Sequence, residues 1–279
     1  MRVLKYIVLI LACVCDICAQ GASFQYPAMP DTLRSADARV AYLLQHYWDN
    51  FDFTDTLQLN DADNVEQGFV NYIDLLTKLT PNIDNGKLKI TSQATLKQSV
   101  AAFSEKAFAS AEAKTKFESL IDHYLDDPQS PMRDDRTYVL FLEQMTKSAH
   151  FSNTEKDRAT FKLNSRNRNL PGSTALDFTF TDNNGNVHSL KEYAAEKVIL
   201  YFYDPDCDNC HKVSAWLDRQ TISPAYTFLR IKSDERLTDL YSLEAMPTIF
   251  LLDKGNTVVL KDCTAETLIQ TINGNVAAE

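Results

Sequence analysis

The chain is poor in usable cysteine. Of its six cysteines, Cys13, Cys15 and Cys18 fall in the first 19 of 279 residues, which leaves Cys207, Cys210 and Cys263 downstream. One close pair and one isolated thiol do not form the disulfide framework of a small secreted scaffold. They do not form a zinc site either, which needs four ligands at sensible spacing. His211 follows Cys210 directly and so points to another side of a helix, and Cys263 stands alone, so no metal is expected. Basic charge is also scarce. Lys and Arg total 28 against 38 Asp and Glu, a net charge of −10. That balance argues against nucleic acid or an anionic membrane surface as partner. The apolar run Tyr6 to Val14 is too short to cross a bilayer. Finally, no strand pattern is visible between residues 30 and about 165.

What is present at the start is a targeting segment. Arg2 and Lys5 supply positive charge, the apolar run follows, and cleavage after Ala19 fits the small-residue preference at such sites. Residues 1–19 are therefore expected to be a signal peptide and the mature chain to be extracytoplasmic, in the periplasm, where disulfides persist. A second reading treats Ile10-Leu-Ala-Cys13 as a lipid-attachment box, with membrane anchoring only if Cys13 is lipidated.

Residues 28–165 read as an all-α bundle. Val40, Leu43, Leu44, Tyr47 and Trp48 make one apolar stripe at helical spacing. Asp63 with Glu66 suggests a capping box ahead of Val65, Phe69, Tyr72, Ile73 and Leu76. Further stripes are Leu96, Val100, Phe103, Ala107; then Phe117, Leu120, Ile121, Tyr124, Leu125; then Tyr138, Phe141, Leu142, Met145. A shorter helix is expected over Thr154 to Leu163. The aromatic group His46, Tyr47, Trp48, Phe51 and Phe53 is assigned to core packing rather than to a ligand site.

Ser165 to Gly172 is polar, ends in Pro-Gly and reads as the linker or as the approach to the second domain. Beyond it the pattern changes to strands alternating with helices, which implies a mixed sheet covered on both faces. Strands are expected at Lys197–Tyr203 and Tyr226–Lys232. Ser189 to Glu192 reads as a capping box, with a hairpin ahead of it, and Thr264–Asn275 as the terminal helix.

The stretch with chemistry is Lys197 to Lys212. A strand-length apolar run ends in an acidic, proline-containing turn, and Cys207-Asp-Asn-Cys210 follows at the start of an amphipathic helix. Unpaired N–H groups and the helix dipole at such a start favour a thiolate. A second cysteine three positions on lies on the same side within disulfide reach. This spacing is that of a thiol–disulfide exchange site, and such exchange needs no cofactor.

Residues 171–279 resemble a secreted bacterial thioredoxin-like (TlpA/ResA-like) domain. The resemblance is carried by Phe178-Thr-Phe-Thr-Asp182, Val198–Tyr203, Cys207-Asp-Asn-Cys210, Met246-Pro247-Thr248 and Phe250 to Leu260. The preceding half is similar to a helical domain of unknown function, through Tyr42 to Phe53 and Tyr124 to Pro131. The resemblance implies an α+β two-domain chain, a helical bundle followed by a thioredoxin-fold α/β domain. It implies that Cys207 and Cys210 are catalytic, that Pro247 is cis opposite them, and that the backbone at Met246 pairs with a bound peptide. Partners would be protein thiols or disulfides and a membrane or periplasmic electron donor.

Two departures from that pattern bear on reactivity. Tyr201 occupies the place, six residues before Cys207, where thioredoxins often carry a buried acid. Asp204, Asp206 and Asp208 surround the thiolate and oppose what the helix start favours. The expectation is a reductant of modest reactivity rather than a strong oxidant. The competing expectation is a redox-inert binding or scaffold protein, in which the helical half is the working surface and the cysteine pair a structural disulfide.

Overall fold

The computed structural model describes residues 24–79, 93–182, 184–243 and 245–276. The expected signal peptide and the lipid-attachment reading of Cys13 lie outside these residues.

The first part is helical: α1 Ala36–His46, α2 Thr56–Asn60, α3 Ala62–Leu79, α4 Gln93–Ala109, α5 Ala111–Ile121, α6 Asp135–Lys147 and α7 Asn153–Arg166. The expected stripes face one core. Val65, Phe69, Tyr72, Ile73 and Leu76 are all fully buried, so α3 runs through its centre. Trp48 sits among Phe51, Phe53, Phe103 and Phe117, with ring centroids 5.1–5.7 Å away. Of the aromatic group, Tyr47, Trp48, Phe51 and Phe53 are buried in this core, while His46 pairs at the surface with Asp49. Gly68 is required by this packing, because a Cβ there would meet the Phe24 ring at 2.3 Å.

Three local expectations are corrected. The cap of α3 is Asp61, which accepts from Asn64 N–H. Glu66 instead accepts from the Tyr124 hydroxyl, a contact between distant residues that no local pattern shows. The short α2, capped by Asp55, was not foreseen. The last helix of the bundle is longer than its apolar pattern, because a full capping box of Ser152 and Glu155 starts it and it runs on to Arg166.

The second part opens with the hairpin β1 Thr179–Thr181 and β2 Val187–Ser189. The capping box of Ser189 and Glu192 then forms as expected, on a 3-10 turn. A four-stranded sheet follows in the order β4-β3-β5-β6, with β3 Lys197–Tyr203, β4 Tyr226–Lys232, β5 Thr248–Asp253 and β6 Thr257–Leu260. β3 pairs in parallel with β4 and antiparallel with β5. A parallel pair needs a crossover, and α8 Asp208–Leu217 supplies it. Side chains of β3 alternate between two cores, as the strand period dictates. Val198, Leu200 and Phe202 face α9 Glu235–Tyr241. Ile199 and Tyr201 face α8 and the closing helix α10 Ala265–Val276.

The segment read as a linker or an approach is held firmly. Lys261, just after β6, reaches across to Asp135 of α6 at 2.7 Å and donates to the carbonyls of Arg166 and Arg168 at 3.0 and 2.8 Å. Its side chain is only 6% exposed. Arg133 pairs with Asp262 at 2.7 Å. Arg166 pairs with Asp126 at 2.6 Å. Asn169, at positive φ, donates to Leu240 carbonyl and accepts from Leu176 N–H. Buried charges are tolerated only when paired in this way, so the network fixes how the helical part docks on the sheet.

Candidate active site

The site forms where β3 ends. The central strand delivers the chain to the top of the sheet, and the turn Asp204–Cys207 closes with Cys207 N–H on the Asp204 carbonyl at 3.2 Å. Asp204 Oδ1 accepts from Asp206 N–H at 2.8 Å. His211 Nε2 donates to the Pro205 carbonyl at 2.8 Å, tying the turn to the helix that follows.

Cys207 is the N-cap of α8, and its Sγ accepts from Cys210 N–H at 3.1 Å. An N–H that the helix cannot satisfy internally is thereby aimed at sulfur. Cys207 is half-buried and Cys210 buried, and both are free thiols. Burial, then the hydrogen bond with Cys207, pushes the Cys210 thiol up to about 11, with the charge of Asp204 adding in the same direction. The two sulfurs are thus unequal: one reaches solvent, the other sits beneath it and holds its proton.

Opposite them, the Met246–Pro247 peptide bond is cis. The Cys207 thiol points at Met246 carbonyl at 3.8 Å. Asn209 Nδ2 donates to the same oxygen at 3.3 Å. Below, Tyr201 is 1% exposed, and its hydroxyl donates to Cys210 carbonyl at 2.7 Å. Burial, followed by the nearby Cys210 and Cys207, pushes its phenol up to about 12.

The residues singled out in the sequence therefore converge. Cys207, Cys210, Met246 and Pro247 lie together. Asp204, Asp206 and Asp208 are exposed around them, and of the three it is Asp204 whose charge acts on Cys210. Asn209 and His211 were missed as functional neighbours. Both are polar residues of an exposed helix start; only the fold brings Met246 to Asn209, while the contact of His211 with Pro205 depends on the geometry of the local turn. Cys263 belongs to the core under α8 and α10 rather than to the site, and burial pushes its thiol up to about 12. Among the described residues, no group of three or more His, Cys, Asp or Glu is placed to hold a metal ion.

A cysteine pair at the strand–helix junction, facing a cis-proline across the top of a mixed sheet, defines a thioredoxin-like protein. The chain matches a thioredoxin-like protein from Bacteroides caccae with a TM-score of 0.75 and 27% identity, over 91% of this chain and 99% of that one. Two shorter structures each match 38% of the chain. One is the C-terminal domain of an uncharacterized protein from Bacteroides fragilis, 28% identical, covering 38% of this chain and 98% of its own, with a TM-score of 0.35. The other is the thioredoxin domain of a thiol-disulfide oxidoreductase from Bacteroides vulgatus, 21% identical, covering 38% and 98%, with a TM-score of 0.32. No curated protein matches the chain. Residues 12–169 match the family described as Domain of unknown function (DUF5106). The chain belongs to that family, with a thioredoxin-like domain following the family's helical region.

Proposed function

We propose that this protein is an extracytoplasmic thiol–disulfide oxidoreductase of reductant type that acts on protein disulfides. The observation that carries the reading is the inequality of the pair: a half-buried Cys207 sulfur capped by an N–H, above a buried Cys210 whose thiol is pushed up to about 11. Cys207 thiolate attacks a substrate disulfide, the substrate S–S bond breaks, and one substrate sulfur leaves as thiolate. Cys210 then loses its proton and attacks Cys207 Sγ. The mixed disulfide breaks, the second substrate thiol leaves, and Cys207–Cys210 becomes a disulfide. Two electrons pass to the substrate, so a dithiol donor must return them. In the cell that donor would be a membrane or periplasmic electron carrier.

The pair is not strongly poised for oxidation. A potent oxidant needs an unusually stabilised thiolate, and here the carboxylates of Asp204, Asp206 and Asp208 stand around the site. The apolar run after Arg2 and Lys5 supports export. Insulin reduction with dithiothreitol as terminal donor tests the activity. Wild type should turn over, Cys207→Ser should not, and Cys210→Ser should accumulate a mixed disulfide. A wild-type pair that never cycles would overturn the reading in favour of a redox-inert binding protein.

A further inference from the structure

We propose that Asn209 is a specificity-determining residue that competes, from within the chain, for the backbone acceptor a peptide substrate must use. This rests on the oxidoreductase reading. The acceptor is the Met246 carbonyl. It precedes β5, whose pairing with the central strand begins at Thr248, so the sheet ladder does not consume it. It lies 3.8 Å from the attacking sulfur. A polypeptide that delivers a cystine to Cys207 must therefore run beside this oxygen, and the favourable way to do so is to donate a main-chain N–H to it, as extended peptides do when they add to free backbone groups. In the reduced protein both acceptor positions of this oxygen are engaged, one by the Cys207 thiol and the other by the Asn209 carboxamide at 3.3 Å.

Asn209 is exposed, so its side chain is free to swing into water and yield the oxygen. The exchange swaps one hydrogen bond for another, and peptide binding loses most of what the new bond would otherwise contribute. A disulfide with no hydrogen-bond donor has no use for the oxygen and is indifferent to the competition. Asn209 therefore acts on binding of peptide disulfides and not on sulfur chemistry.

The test compares wild type and Asn209→Ala on two substrates: insulin, and 5,5′-dithiobis(2-nitrobenzoate), whose carboxylates only accept. One net hydrogen bond corresponds to about three- to tenfold in binding. The expected result is a KM for insulin lower by about that factor in Asn209→Ala, with kcat and the rate on the aromatic disulfide unchanged. An insulin KM that stays the same or rises overturns the proposal. So does an equal change on both substrates, which would make Asn209 a modulator of Cys207 itself. Failure of wild type to reduce either substrate would instead sink the oxidoreductase reading, and this proposal with it.

Discussion

The hydroxyl of Tyr201, on the central strand, donates to the main-chain carbonyl of Cys210 at 2.7 Å. The thioredoxin resemblance leads one to look for a buried acid here to take the proton of the deeper cysteine. A phenol pushed up to about 12 does not do that at neutral pH. It fixes the first turn of α8 instead. Tyr201→Phe should therefore keep the redox activity and its pH profile while lowering stability by about 1 kcal/mol. Urea unfolding and a pH–rate profile check both halves. A flattened profile in Tyr201→Phe would make the phenol a proton relay.

With Tyr201 in the place of a buried acid, the resolving step depends on Cys210 ionising by itself. Burial is the first cause that pushes its thiol up, and it remains when Cys207 is tied up in a mixed disulfide, so at pH 7 most of it is protonated, and the reactive thiolate fraction grows as pH rises. Release of the second thiol from a preformed Cys207 mixed disulfide should accelerate by roughly tenfold per pH unit between pH 7 and 9. Stopped-flow absorbance with an aromatic disulfide measures this directly. A rate that is flat over this range would show that another group accepts the proton.

The docking network should matter more than surface ion pairs. Lys261→Met leaves Asp135, 11% exposed, with only the longer pair to Arg166 at 3.8 Å, and takes this donor from the carbonyls of Arg166 and Arg168. Breaking such a pair costs about 3 kcal/mol or more. Lys147, 68% exposed in its pair with Glu143, should tolerate Ala with a change below about 0.5 kcal/mol. Denaturant unfolding separates the two, and proteolysis within 166–172 should quicken only in Lys261→Met.

The start of α7 should be sensitive to acid. Glu155 accepts from Lys114 Nζ at 2.7 Å and from Ser152 at 2.6 and 2.7 Å, and the Lys114 bond first of all lowers its carboxyl from 4.5 to about 2. A carboxyl held low in the folded chain stabilises it fully above the ordinary value and loses that contribution as pH falls through about 2. Wild type should weaken between pH 4.5 and 2 by more than Glu155→Gln does, as read by parallel urea titrations. Identical slopes would remove Glu155 from the account.

How much of this was legible in the sequence depends on the range of the interaction. Stripes such as Val65, Phe69, Tyr72, Ile73 and Leu76 were readable because burial repeats at the helical period. The bounds of β3 and β4 were readable because apolar runs end at turn residues. The pair Cys207 and Cys210 was readable because its chemistry needs only local spacing. The cap of α3 was misread because Asp61 and Asp63 are equivalent by composition, and Glu66 is engaged by Tyr124 from another helix. The docking of Lys261 on Asp135 joins residues more than a hundred positions apart. Two charges at that separation carry no pattern, so nothing local showed that segment 165–172 is held in place. Asn209 escaped notice for the same reason, since its partner Met246 arrives only through the fold.

The most direct test of the central claim is the redox equilibrium of the Cys207/Cys210 pair in glutathione and dithiothreitol buffers. The account predicts reversible cycling at a potential near or below that of thioredoxin, about −270 mV. A value close to that of the oxidant DsbA, about −120 mV, or a pair that does not cycle at all, would contradict it.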